Sequence, residues 1–183
     1  MNKNIGFTLI EVMVMLTIMA IVMVMGMPSF NALLKSNRQV THTNDLLIAL
    51  NFARSEAVNR GQRVVACILQ RGIATKVCQT DGTNSWETGW MIFVDLNNDA
   101  ILQASAGETI LRVHDPLDAG DTVQSTAFSN YISYAPDGIV RSINNGTPLT
   151  GSFNFSLCHA RHKNTVQINL VGRPGVVRPA PTC

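Results

Sequence analysis

Acidic residues are missing from the C-terminal end of this chain: among its 183 residues, no Asp or Glu follows Asp137. Charge is scarce throughout, with Asp, Glu, Lys and Arg at 14% and a net charge of only +2, so a uniformly basic or acidic surface is excluded. Signatures of catalysis are missing as well. The sequence holds no GxSxG, P-loop, GxGxxG or HExxH pattern, and no serine or cysteine has a recognisable base partner, so nothing supports an enzyme. Cysteine is limited to Cys67, Cys78, Cys158 and Cys183, none in a CxxC pair, which argues against a zinc or redox centre. His42, His114, His159 and His162 lack ligand spacing, the HxxH from His159 to His162 standing alone, and no metal or cofactor is expected.

One region has almost no charge. From Phe7 to Met27 the only ionisable side chain is Glu11, and a bilayer core is spanned by about 20 apolar residues. The stretch GFTLIEVMVMLTIMAIVMVMGMPSF therefore reads as a membrane-crossing helix. A carboxylate inside such a helix costs about 2.5 to 3.5 kcal/mol at the centre and less near an end, so Glu11 needs a reason beyond insertion. Lys3 before the span favours a cytoplasmic N-terminus, and four cysteines after it fit an exported domain with two disulfides. No small-residue cleavage site of the ordinary secretory kind closes the apolar run, and Gly6 stands before it instead.

The run Gly6, Phe7, Thr8, Leu9, Ile10, Glu11 resembles the class III leader of type IV pilins and of the pseudopilins of type II secretion. The resemblance implies residues 1–6 as a leader, cleavage by a prepilin peptidase after Gly6, N-methylation of Phe7, and a polymerisation helix over 7–28. Glu11 would then be an assembly residue, its carboxylate neutralising the Phe7 amine of a neighbouring subunit and selecting the stagger between them. The alternative is a glutamate resting at headgroup level.

Beyond the span, Gly26 and Pro28 are expected to interrupt the helix. An amphipathic half follows over 29–61, with Leu33, Val40, Leu47, Leu50, Ala53, Ala57 and Val58 as its apolar stripe and Arg38, Asn44, Asn51 and Arg54 outward. Asn59, Arg60 and Gly61 supply the stop. From Gln62 the pattern becomes short β-type runs: Arg63 to Leu69, Thr75 to Gln79, Gly89 to Val94, Thr109 to Val113, Tyr131 to Tyr134, Ile139 to Ile143, Ser152 to Cys158 and Thr165 to Leu170. A long helix followed by strands predicts an α+β fold with a β-rich head over 62–183, one or two antiparallel sheets packed on the helix. Trp86 and Trp90 read as packing residues.

The stretches LNFARSEAVNRG, VVACILQ with Cys78, WETGWMIFVDLNND, GETILRV and YAPDG are similar to the GspH/FimT group of minor pilins and pseudopilins. That resemblance implies a non-catalytic filament subunit with other minor and major pilins as partners, held in the inner membrane with its head in the periplasm and later carried on a surface pilus. The ending GRPGVVRPAPTC loosely resembles the group's GRxR signature; Arg173 matches its first arginine, while Pro174, Gly175 and Val176 lengthen the gap to Arg178. In some members this tail binds DNA, implying double-stranded DNA as a partner here through Arg161, Lys163, Arg173 and Arg178. Two other readings of this basic end are a solvated surface and a contact with an acidic pilin.

Four cysteines permit three connectivities. Cys67 and Cys78 flank a predicted hairpin and are paired on that ground, leaving Cys158 to tie down the tail through Cys183. Asp95, Asn97 and Asp99 begin like a calcium loop, but Ala100 and Ala106 stand where such a loop needs Gly and Glu, so an Asx-rich turn is expected.

Overall fold

The computed structural model describes residues 6, 8–70, 72, 76–83, 85–125, 127–144, 146–157 and 163–177. Helix α1, Leu9–Arg60, is followed by β1 (Arg63–Ile68), β2 (Trp90–Asp95), β3 (Ile110–His114), β4 (Asp121–Ser125), β5 (Tyr131–Tyr134), β6 (Gly151–Leu157), β7 (Lys163–Ile168) and β8 (Pro174–Val177). The strands form two four-stranded sheets, ordered β3-β2-β1-β5 and β4-β6-β7-β8, and every pairing is antiparallel. This is the α+β architecture expected from the sequence, a long helix with two antiparallel sheets packed on it.

Helix α1 spans 52 residues, about 78 Å at 1.5 Å per residue. It runs unbroken through Gly26 and Pro28, contrary to the expected interruption. Proline removes one donor but its fixed φ is helical, so turns on either side can carry the helix across. The helix ends where Gly61 takes a left-handed φ of 63°.

The buried face of α1 is Gln39, Thr43, Leu46, Ala49, Leu50, Ala53 and Ala57. Leu33, Val40 and Val58, expected on that stripe, are exposed, because steps of three and four from Leu46 and Leu50 lead to Gln39 and Thr43 instead. Against this face pack Val64, Ala66, Ile68, Trp90 and Ile92 of the first sheet and Val123, Phe153, Val166 and Ile168 of the second. Alternate residues of the first sheet, Val65, Cys67, Met91 and Phe93, point the other way into a smaller core closed by Leu69, Cys78 and Ala100.

Two predicted strands shrink to isolated bridges. Cys78 bridges Leu69, flanked by the Gln70 N–H to Val77 and Gln79 N–H to Ile68 carbonyl bonds, and Val140 and Arg141 bridge Tyr134 and Pro148 beside the Ser142–Thr147 turn. Two strands, β4 and β8, were not legible. The latter, PGVV, opens on a proline, which is tolerated at the first position of an edge strand.

Candidate functional site

At the N-terminal end, Thr8 caps α1. The Glu11 backbone N–H donates to Thr8 Oγ1 at 3.4 Å, and the Thr8 N–H donates to Glu11 Oε2 at 3.3 Å, a reciprocal capping box. Within one chain, then, Glu11 satisfies an orphan donor at the helix start. The T-x-x-E spacing in the sequence signals this role. Every described side chain from Thr8 to Val24 is exposed, including Leu9 at 79% and Val24 at 75%. Among the described residues nothing covers the helix from Thr8 to Val24. Among the described residues no helix is long and apolar enough to cross a membrane; the described side chains of this run stop at Val24. Phe7 and the leader ahead of Gly6 lie outside the described residues.

Cys67 and Cys78 form a disulfide with their Cα atoms 5.6 Å apart. It fastens the connection between β1 and β2 to the underside of the first sheet. Cys158 and Cys183 lie outside the described residues, as do Arg161 and Arg178.

The remaining basic residues are separated. Lys163 opens β7, and Arg173 follows the turn at its other end; the five steps from Lys163 to Ile168 alone span about 17 Å. Arg173 is exposed, and its backbone N–H donates to Asn169 Oδ1 at 2.9 Å, which shapes the turn. Among the described residues Arg173 has no acidic partner within salt-bridge distance. Arg141, in the same acid-free part of the sequence, is committed elsewhere. Its Nη2 lies 2.7 Å from Asp137 Oδ2 and its Nη1 donates to the Gly146 carbonyl at 3.0 Å. The hydrogen bonds that Arg141 donates to Asp137 Oδ2 hold the Asp137 carboxyl below its ordinary range.

The basic turn is seated on the rest of the head by a contact that pattern reading missed. Arg54, expected outward, is half-buried and donates from Nε to the Gly138 carbonyl at 2.9 Å and from Nη2 to the Val171 carbonyl at 3.3 Å. A Cβ on Gly172, whose φ is +75°, would collide with the Gly138 carbonyl. The glycines of YAPDG and GRPG thus let two turns touch, with Arg54 bonded to both.

The calcium-like stretch is a self-satisfied turn. Asp95 Oδ1 accepts the Asn98 and Asp99 N–H groups and its Oδ2 accepts that of Ala100. Glu108 accepts the Leu96 and Gln103 N–H groups. Burial pushes the Asp95 carboxyl up, although these donors oppose the shift. Both carboxylates serve the backbone, and Glu108 explains the acid in GETILRV.

In WETGW, Trp86 Nε1 donates to the Phe128 carbonyl at 2.8 Å and its ring meets Phe153 edge-on at 4.9 Å. Glu87 Oε2 accepts the Val123 N–H at 3.1 Å. Trp86 and Glu87 therefore tie the second sheet to a segment that continues, through Trp90, into the first.

One polar cluster joins residues far apart in sequence. His42 Nε2 lies 3.0 Å from Asp121 Oδ2 and 3.9 Å from Asp118 Oδ2, and Arg38 Nε is 3.6 Å from the same Asp118 oxygen. Burial pushes the Asp121 carboxyl up against the opposing pull of His42.

Residues 42–172 match the family model of the type II transport protein GspH, and residues 1–27 match the prokaryotic N-terminal methylation motif. The chain belongs to the GspH family. This GspH-family protein is similar in fold to the type IV minor pilin FimU of Pseudomonas aeruginosa strain PAO1. In one crystal form the TM-score is 0.57 at 18% identity, covering 80% of this chain and 96% of FimU. A second form gives a TM-score of 0.53 at 19% identity, with 75% and 94% covered. No curated protein matches the sequence significantly. For a GspH-family pilin or pseudopilin, the quoted stretches acquire physical meaning: WETGW, GETILRV and YAPDG supply tryptophan contacts, backbone acceptors and a glycine contact that hold the head together.

Proposed function

We propose that this GspH-family protein is a non-catalytic minor pilin. It is made as a precursor, cut by a prepilin peptidase after Gly6, methylated at Phe7, held in the inner membrane with its head in the periplasm, and assembled with other minor and major pilins into a surface pilus. The observation that carries the reading is the exposed apolar stretch Leu9–Val24 of the helix, attached to a head with its own core. Such a surface requires lipid or the helices of neighbouring subunits as cover.

Glu11 would hold the helix start in the single chain and neutralise a neighbour's Phe7 amine in the filament. Glu11→Gln separates the two, because Gln serves in a capping box but carries no charge. The variant should enter the membrane normally and fail to join filaments in a pull-down of sheared pili; wild-type incorporation would refute the amine pairing. Gly6→Ala should leave an unshortened precursor on a denaturing gel, and a normally shortened product would sink the prepilin reading.

A receptor role for double-stranded DNA is a second reading, favoured by the exposed Arg173 and the acid-free end that also contains Lys163, Arg161 and Arg178. The full chain in neutral detergent should bind duplex DNA with an affinity that falls steeply with salt, and Arg173→Ala with Arg178→Ala should lower both affinity and slope. Absence of binding at low salt would leave a subunit of a pilus or of a type II secretion pseudopilus.

A further inference from the structure

We propose that His42, Asp118 and Asp121 form a binding site for a divalent transition-metal cation of the zinc type, which clamps α1 to the leading end of β4 in the second sheet. The three groups come from two places in the fold. His42 lies on the inward face of α1, where Gln39 and Thr43 are also buried, so the helix presents polar rather than apolar groups there. Asp121 opens β4, and Asp118 stands at the start of the turn before it, closed by the Asp121 N–H donating to the Asp118 carbonyl at 3.2 Å.

One donor atom from each residue, an imidazole nitrogen and two carboxylate oxygens, lies within 4.8 Å of the other two. Donors sharing a zinc ion at about 2.0 to 2.2 Å lie about 3.0 to 3.5 Å apart, and His42 Nε2 and Asp121 Oδ2, at 3.0 Å, already meet that spacing. Asp118 Oδ2, 3.9 Å from the imidazole nitrogen and within 4.8 Å of the Asp121 oxygen, needs a shift of about 1 Å, and its side chain is 55% exposed. An imidazole with two carboxylates suits zinc better than calcium, which takes six to eight oxygen ligands.

A separate observation points to a ligand. The Asp121 side chain is only 7% exposed, and its Oδ2 has no hydrogen bond despite standing beside His42. Both ring nitrogens of His42 are likewise buried without a hydrogen bond. His42 Nε2 and Asp121 Oδ2 form an ion pair only when the imidazole is protonated; with a neutral imidazole whose Nε2 lone pair faces the carboxylate, a cation between these two atoms satisfies both of them. Binding through Nε2 places the imidazole proton on Nδ1. Arg38 faces Asp118 from the solvent side at 57% exposure, so metal binding exchanges an exposed ion pair for coordination.

The full chain in non-ionic detergent, stripped with a chelator, should take up one equivalent of zinc in a calorimetric titration and unfold at a higher temperature with zinc present. Magnesium should do neither. Asp118→Asn, which also loses the exposed Arg38 ion pair, should shift the metal-free melting temperature by no more than such a pair contributes and weaken zinc binding by at least about tenfold. His159→Ala with His162→Ala should bind as wild type. No zinc-dependent heat or thermal shift at submillimolar zinc would overturn the site, as would full affinity in Asp118→Asn or loss of binding in the His159, His162 variant.

Discussion

The two sheets have equal numbers of strands but bury them differently. In the first, β1 and β2 are buried at nearly every position, because one set of side chains meets α1 and the alternate set meets the disulfide-closed core. In the second, β4 alternates buried and exposed, and of β8 only Pro174 is buried. Strands β1 and β2 are thus enclosed on both faces, while the edge strand β3 has no buried residue. Among the described residues, the second sheet leaves Thr122 and Gln124 of β4, Gly175, Val176 and Val177 of β8 and the Arg173 turn exposed. Loss of packing should therefore be most costly where the sheets join, and surface changes on the second sheet should affect binding before stability.

The largest effect is expected at the junction. Trp86→Ala removes a buried ring and an indole donor and should lower the unfolding free energy by about 3 to 5 kcal/mol in urea titrations. A loss near 1 kcal/mol would mean that the sheets stand independently. Next, replacing Cys67 and Cys78 together by serine opens a loop of sequence separation 11 and should cost about 3 kcal/mol. Hydrogen exchange should then quicken in β1 and β2 but not in β6 and β7; equal quickening in both sheets would break the contrast.

Gly172→Ala forces a side chain into a left-handed position against Gly138 and should cost about 1 to 3 kcal/mol. Its exchange signature should be confined to the Asn169–Arg173 turn, and spreading into β1 would show that the turns brace the scaffold. The smallest effect concerns Asp137. Its folded pKa is depressed, first by the Arg141 hydrogen bond, so the stabilisation is fully present above the unfolded value near 3.9 and is lost as pH falls through the folded one. The pair is partly exposed, so Asp137→Asn should differ from wild type by under about 1 kcal/mol at neutral pH and converge with it in acid. Parallel curves down to strong acid would remove this pair from the stability of the second sheet's surroundings.

Strands of the enclosed sheet were easy to read because their runs are almost continuously apolar: Tyr131–Tyr134 coincides with β5 and Arg63–Ile68 falls within a predicted run. The edge strand PGVV carries no such signal, since its pairing is supplied by β7. Helix periodicity placed Leu50, Ala53 and Ala57 inward but not Gln39 and Thr43, whose burial depends on what the second sheet offers opposite them. At the N-terminus, the methylation motif and the Thr8–Glu11 cap were legible as local strings. Arg54 was not, because its partners are the carbonyls of Gly138 and Val171, groups that every residue possesses.

The sequence by itself determined the apolar N-terminal run, the helix stop at Gly61, the order of helix and strands, and the family, all of which depend on short-range pattern and backbone chemistry. Tertiary structure alone decided that the strands divide into two sheets, that Arg54 reaches the carbonyls of Gly138 and Val171, and that His42 meets Asp118 and Asp121. Those outcomes depend on distances between groups many residues apart, set by how both sheets pack on one helix, and no local pattern encodes them.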